Sequence, residues 1–188
     1  MNPQCRKILR TSLLGAILFP ALGWADIFGG VAPGDGCRDV YAMEIARGAE
    51  PGLPLEKMLH EGMLAFQIQD ANTRRARLYD CRDNKVTGLV RSIAFHTKAE
   101  QRHHLKTLRE KVEARFGPPD LDTFNLGFFV NTLMWLEGMT DTVASLQTVY
   151  WSLPEGETVS LVLSHRPHQN PGYVVMLNWD KPAPPVKP

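Results

Sequence analysis

Acids and histidines at helical spacing are the first candidates for metal chemistry. Glu100 precedes His103 by three positions and His104 by four, so either pair can share one helical face. Carboxylate and imidazole groups at such spacing can chelate a metal. A functional site needs three or four ligands, however, and this charge-rich stretch supplies two. We therefore predict a solvated helix face here, with a metal pair as the alternative.

A second histidine pair, His165 and His168, lies between two expected strands. Loops at the end of a sheet concentrate binding residues, and two histidines three apart can bind zinc or copper. No cysteine or carboxylate accompanies this pair, so the ligand set is incomplete. We expect no resident metal and no cofactor.

The glycine-rich stretch before Cys37 has the first spacing of a phosphate-binding loop, from Gly29 to Gly34. That motif continues with Lys and Ser or Thr, which serve phosphate and Mg²⁺. Here Asp35 and Gly36 follow, and an acid would repel phosphate. The glycines are therefore expected to serve turns. The chain also has no Gly-x-Ser-x-Gly or His-Glu-x-x-His motif, so no catalytic residue is assigned and enzymatic activity is uncertain.

The first 25 residues have the three parts of a cleavable signal peptide. Three basic residues, at positions 6, 7 and 10, precede an apolar run over residues 13–22, and small residues lie at −3 and −1 of a cut after Ala25. The run is shorter than the roughly 20 residues that span a bilayer, and Pro20 interrupts it. We predict a periplasmic or secreted protein beginning near Asp26. An uncleaved anchor or a buried first helix is the alternative.

Cleavage would change what the composition implies. Removing 25 of 188 residues leaves 163, enough for one domain. The segment carries three of the 21 basic residues and none of the 20 acidic ones, so the net charge changes from +1 to −2. A near-neutral domain gives no support for nucleic-acid binding or for a polybasic membrane patch. We expect no transmembrane span in the mature chain.

The cysteines are also consistent with an exported protein. Cys5 would leave with the signal peptide, and Cys37 and Cys81 would remain. An even pair in an oxidising compartment usually forms a disulfide. Closing this loop would stabilise the fold by about 4 kcal/mol on the chain-entropy estimate. Free or metal-binding thiols are the alternative.

Two helices are predicted before the first hairpin. Asp39 is suited to cap one helix, with Gly48 just past its end, and Pro54 is suited to the first turn of the next. Four apolar residues at helical spacing predict that this second helix continues to Phe66. They are Leu55, Leu59, Met63 and Phe66.

The next segments predict a hairpin and a long helix. Two strand-like runs, 76–81 and 86–95, flank the turn-forming residues 82–85. Thr97 can then cap a helix over 98–116, which glycine and prolines terminate. Its expected buried face comprises Leu105, Leu108, Val112 and Phe116. Within residues 120–146, whose structure the sequence does not specify, the apolar stretch 128–136 is too short to span a bilayer and is compatible with a buried helix or a buried strand.

The C-terminal part predicts a three-stranded meander with alternating apolar residues. Trp151 and Trp179 fall in the apolar phase and are expected in the core, whereas Tyr150 faces the other side. An aromatic residue there can form a binding surface, although a single one is more often incidental. Residues 181–188 form a proline-rich tail, which we expect to be disordered, with docking to a partner as the alternative.

These elements predict an α+β fold: a mostly antiparallel sheet, made of a hairpin and a C-terminal meander, with helices packed on one face. One domain, 26–180, follows the signal peptide 1–25 and precedes the tail. Export and the lack of a catalytic motif favour a non-enzymatic domain that binds an envelope protein or a ligand. A metal-dependent or hydrolytic enzyme and an envelope assembly factor are the alternatives.

Overall fold

Antiparallel strands make up most of the described chain, which covers residues 27–126 and 145–181 of a computed structural model. The strands are β1 (Glu50–Pro51), β2 (Met63–Gln69), β3 (Arg74–Arg82), β4 (Lys85–Phe95), β5 (Leu121–Asp122), β6 (Ser145–Ser152), β7 (Thr158–His165) and β8 (Tyr173–Asp180). The helices are α1 (Cys37–Ala46), α2 (Leu55–His60) and α3 (Lys98–Phe116), with 3₁₀ turns at Thr123–Leu126 and Pro154–Gly156.

All these strands join one sheet in the order β1-β2-β3-β4-β8-β7-β6-β5. The N-terminal meander, β1 to β4, meets the C-terminal meander, β5 to β8, where β4 pairs antiparallel with β8. The long helix α3 connects the two meanders in sequence and contacts both β4 and β8. The predicted α+β fold with a mostly antiparallel sheet is therefore confirmed.

The hydrophobic core lies on the face of the sheet that the helices cover, called here the helix face. One row of cross-strand neighbours runs across six strands on this face, and every member is buried. Because alternate residues of a strand point to the same side, this row fixes which residues face α1 and α3. The row is Leu64, Tyr79, Leu89, Trp179, Val159 and Trp151. It confirms that both tryptophans belong to the core.

Local signals place the hairpin and the long helix as predicted. Asp83 and Asn84 form the two-residue turn between β3 and β4, with φ of 51° and 57°, as a type I′ hairpin turn requires. Thr97 caps α3 through a capping box with Glu100. Gly117 ends the helix with a φ of 83°, and both predicted ends of α3 are confirmed.

The second predicted helix is too long. Helix α2 ends at His60, and Gly62 follows with a φ of 72°. Met63 and Phe66 belong to strand β2, where Phe66 is buried and Met63 is exposed. This segment forms a strand rather than a helix because it pairs with β3. The alternation of the strand then buries apolar side chains against α1. The shared spacing of Leu59, Met63 and Phe66 is therefore coincidental.

Helix α1 begins earlier than Asp39 suggests. Its N-cap is Gly36, and no side chain caps it, so Asp39 lies in the first turn. The start is fixed by tertiary contacts instead. The Cys37 N–H donates to the Asn84 carbonyl at 3.0 Å. Cys37 also forms a disulfide with Cys81, and the two Cα atoms are 6.3 Å apart. The predicted disulfide is confirmed.

Several predictions fall outside the described residues: the signal peptide, the apolar stretch 128–136, and tail residues 182–188. Lys181, the first residue of the predicted tail, is described, and its Nζ lies 3.0 Å from both Glu155 and Glu157. In the described ranges no helix is long and apolar enough to cross a membrane.

Candidate functional site

Two arginines face one another in the middle of the helix face. Arg77 of β3 pairs in register with Arg91 of β4. Their neighbours along the same row are Phe66 on one side and Leu177 on the other, and both are buried. Like charges directly opposite on a sheet repel one another, so this pair needs compensation from elsewhere.

Glu44 of α1 compensates one of the two arginines. Its fully buried carboxylate accepts bonds of 2.5 and 2.7 Å from Arg77 Nη1. The Tyr79 hydroxyl also donates to Glu44, at 2.7 Å. Burial, reinforced by the adjacent Glu44, holds the pKa of Tyr79 above its ordinary value, so the hydroxyl stays a donor. Arg77 is thus neutralised by a buried, hydrogen-bonded partner.

Arg91 lacks such a partner. Its Nη1 donates to the Ile27 carbonyl at 2.6 Å, and no carboxylate of the described residues lies within ion-pair distance of it. Burial, followed by the charge of Arg77, lowers the pKa of Arg91 from its ordinary value. Arg91 nevertheless remains a cation near neutral pH, because the guanidinium of arginine is not deprotonated in proteins.

A cavity of about 130 Å³ opens beside Arg91, between α3 and the sheet. We call it the arginine pocket. Its apolar wall consists of Ile27, Ile93, Leu108, Val175 and Leu177. Its polar lining is Arg91, His104 and Lys111. None of these eight residues is acidic.

His104 gives the pocket a neutral polar edge. Its ring lies 5.3 Å from that of Phe95. Burial, and next the charge of Arg91, lower its pKa from the ordinary 6.5. The imidazole is therefore uncharged at neutral pH, and it can donate or accept one hydrogen bond. The positive charge of the pocket then comes from Arg91 and from Lys111, an exposed residue.

The glycine-rich N-terminal segment closes one side of the pocket. Ile27 is buried in its wall, and Arg47, which follows the last residue of α1, donates to the Gly29 carbonyl at 2.5 Å. A Cβ at Gly29 would lie 3.2 Å from Arg91 Cζ, and the φ of Gly29 is 71°. Glycine therefore lets this backbone lie directly on Arg91, which adds a role to the predicted turns.

The structure separates the first predicted metal candidates. The Glu100 carboxylate accepts from the Thr97 N–H at 3.0 Å and serves the helix cap. His103 is exposed, whereas His104 lies in the arginine pocket. The three side chains therefore lie in three different environments along α3. The spacing that suggested a metal pair thus does not unite them at one described site.

The other histidine pair is also divided. The His165 ring stacks on Tyr173 at 4.3 Å, while His168 is exposed in the loop before β8. In that loop, Asn170 Oδ1 lies 2.7 Å from His96 Nδ1. Among residues 27–126 and 145–181, no group of three or more His, Cys, Asp or Glu side chains is arranged to hold a metal.

Sequence reasoning missed the central residue of the pocket, although a signal for it exists. Leu89, Arg91, Ile93 and Phe95 share one phase of a strand in which the other three are apolar. A charge in the inward phase of a strand marks either a buried ion pair or a binding site. Which of the two applies depends on Glu44 and Ile27, which are distant in sequence.

No family model, curated protein or solved structure matches this chain. A fold alone does not define a function, because one architecture hosts many activities. The chemistry of the arginine pocket is therefore the basis for a functional assignment.

Proposed function

We propose that this protein is an exported, non-enzymatic domain that binds a small anionic ligand in the arginine pocket. The observation that carries the proposal is Arg91, a largely buried cation opposite Arg77, with no carboxylate partner in the described chain. An isolated charge is costly to remove from water. A bound anion would supply the missing partner.

The composition of the pocket favours binding over nucleophilic catalysis. Its lining holds no hydroxyl, thiol or carboxylate group that could attack a substrate. It combines an apolar wall with a few convergent polar groups, which is the usual make-up of a small-molecule site. The signal-peptide pattern and the Cys37–Cys81 disulfide support function in an oxidising compartment.

Anion binding can be tested by calorimetric titration of the mature protein, residues 26–188. Probes would be acetate, benzoate, inorganic phosphate and sulfate, in a buffer that lacks other small anions except chloride. We expect at least one probe to bind and to raise the melting temperature, because a ligand stabilises the state to which it binds.

Three variants accompany this titration. Arg91→Gln should weaken binding at least tenfold, whereas Arg82→Gln, at an exposed arginine of the same hairpin, should leave it unchanged. Lys111→Gln, at an exposed position of the pocket, should weaken binding without disturbing the fold. An unchanged affinity in a folded Arg91→Gln variant would contradict the proposal, as would the failure of every probe.

Export can be tested separately. Expression of the full chain in a secreting host should give a product whose N-terminus is Asp26, measured by intact mass. Ala25→Arg should block the cut, because signal peptidase sites need a small residue at that position. Ala16→Leu, inside the apolar run, is the control and should still be processed. A mature product that retains residues 1–25 would contradict cleavage.

A further inference from the structure

We infer that the ligand of the arginine pocket is a monocarboxylate with a compact apolar body, the size of a six-membered ring or a short alkyl chain. This inference rests on the proposed function and specifies its ligand class. It follows from the size of the cavity, the nature of its walls and the number of charges left to be compensated.

Cavity size limits the apolar body. The pocket volume is about 130 Å³, while an engineered protein cavity of about 150 Å³ binds benzene. Sites for drug-sized molecules occupy about 300–1,000 Å³. A single ring or a short chain therefore fits, whereas a nucleotide or a peptide segment would have to remain mostly outside.

The walls favour a ligand with an apolar body over an inorganic anion. Ile27, Val175 and Leu177 are at most 3% exposed overall, and their side chains border the cavity together with Ile93 and Leu108. An inorganic anion would lose hydration against these apolar side chains, and the polar groups it would meet are those of Arg91, His104 and Lys111. An apolar body instead gains the free energy of burial, about 0.8 kcal/mol for each CH₂ group.

The charges favour one carboxylate. Glu44 already neutralises Arg77, so Arg91 is the half-buried cation beside the pocket that is left without a carboxylate in the described chain. The planar fork of a guanidinium matches the two oxygens of a carboxylate. Lys111 lies at an exposed position, where it can attract an incoming anion while it keeps its hydration.

A ligand series on the intact mature protein tests each part of this inference. The probes are cyclohexanecarboxylate, its neutral amide, acetate and inorganic phosphate. We expect cyclohexanecarboxylate to bind at least tenfold more tightly than acetate, because acetate lacks the apolar body. We also expect it to bind at least tenfold more tightly than the amide, because the amide lacks the charge that pairs with Arg91.

Two variants locate the contacts. Arg91→Gln should reduce the affinity for cyclohexanecarboxylate to that of the amide. Leu108→Trp should fill the cavity and reduce affinity for the ring at least tenfold while sparing acetate, because Leu108 is half-buried at the wall. Leu53→Trp, at an exposed position away from the pocket, is the control for the added indole. Melting curves establish that each variant is folded.

The possible failures are distinguishable. Arg91-dependent binding of phosphate or acetate with no gain from the ring would overturn this inference and leave anion binding intact. Equal affinity for the acid and the amide would overturn the role of the carboxylate. If none of the anions binds, both the inference and the proposed function are wrong.

Discussion

The two meanders share one sheet and one face, yet they stabilise that face in different ways. In the row that contains Arg77 and Arg91, the C-terminal meander contributes Leu177, Leu161 and Val149. These three side chains are buried and apolar, whereas the arginines require Glu44 and the Ile27 carbonyl. The same position in the sheet is thus filled by hydrophobic packing in one half and by charge compensation in the other.

This difference indicates which half of the sheet depends on specific partner groups for its stability. Apolar neighbours stabilise one another without regard to direction. Buried charges need a specific partner, and removal of that partner leaves an uncompensated ion. In this row the C-terminal meander is therefore stabilised by apolar packing, while the N-terminal meander carries Arg91, the group that the proposed ligand would neutralise.

The largest expected effect lies in the apolar half, at Trp151. Its side chain is 1% exposed, and its indole N–H donates to the Gly117 carbonyl at 3.0 Å. Trp151→Ala should lower the free energy of unfolding by about 3–5 kcal/mol, because it opens a large cavity. Urea unfolding followed by circular dichroism measures this loss.

The adjacent Tyr150 provides the control for Trp151. It points to the opposite face and is only half-buried. Tyr150→Ala should therefore cost about 1 kcal/mol. Equal losses for the two variants would contradict the assignment of the core to the helix face.

In the charged half, Glu44→Gln should lower the free energy of unfolding by about 3 kcal/mol. The substitution keeps the size of the side chain and removes the charge that compensates Arg77. Replacing both residues, as Glu44→Gln with Arg77→Met, should cost less than the sum of the single losses, since the cation that Glu44 compensates is then removed together with the carboxylate. Urea unfolding of the three variants measures this coupling. Additive losses would mean that Glu44 and Arg77 stabilise the fold independently.

The sequence predicts the parts of the fold that local residues specify. Asp83 and Asn84 identify the hairpin, and Thr97 and Gly117 bound α3, because turns and caps depend on the residues that form them. The extension of α2 to Phe66 is wrong because pairing with β3 decides that segment. The spacing of apolar residues along the sequence does not indicate which segments pair as strands.

The pocket was less predictable for the same reason. Arg91 is visible in the sequence as a charge in an apolar phase, but its neighbours along the chain are other residues of β4. Its contact with Ile27 spans 64 positions, and the compensation of Arg77 by Glu44 spans 33. Only the folded chain distinguishes the arginine that has a carboxylate partner from the one that does not.

A smaller effect is expected at the cap of α3, the helix that contacts both meanders. Thr97→Ala removes the side-chain acceptor for the Glu100 N–H and should cost about 1 kcal/mol. Thr107→Ala, at an exposed position within the same helix, is the control and should be neutral or slightly stabilising, because alanine has the higher helix propensity. Urea unfolding shows whether each substitution lowers or raises the free energy of unfolding. Equal losses would show that the cap contributes nothing specific.

The smallest expected effect is a pH dependence at His104, where α3 meets the charged half. Burial and the nearby Arg91 lower its pKa, with further contributions from Arg75, His103 and Lys111. The unfolded chain then binds a proton more readily than the folded one. Stability is therefore retained above the unfolded pKa of about 6.5 and falls as the pH drops through that value toward the lower folded pKa.

Melting temperatures at several pH values between 7.5 and 5 test this prediction. His104→Gln should reduce the loss of stability over that range, because glutamine does not titrate. His103→Gln, at the exposed neighbouring position, should preserve most of it. If His104→Gln leaves the slope unchanged, burial and the charge of Arg91 do not lower the pKa of His104, and the prediction is wrong.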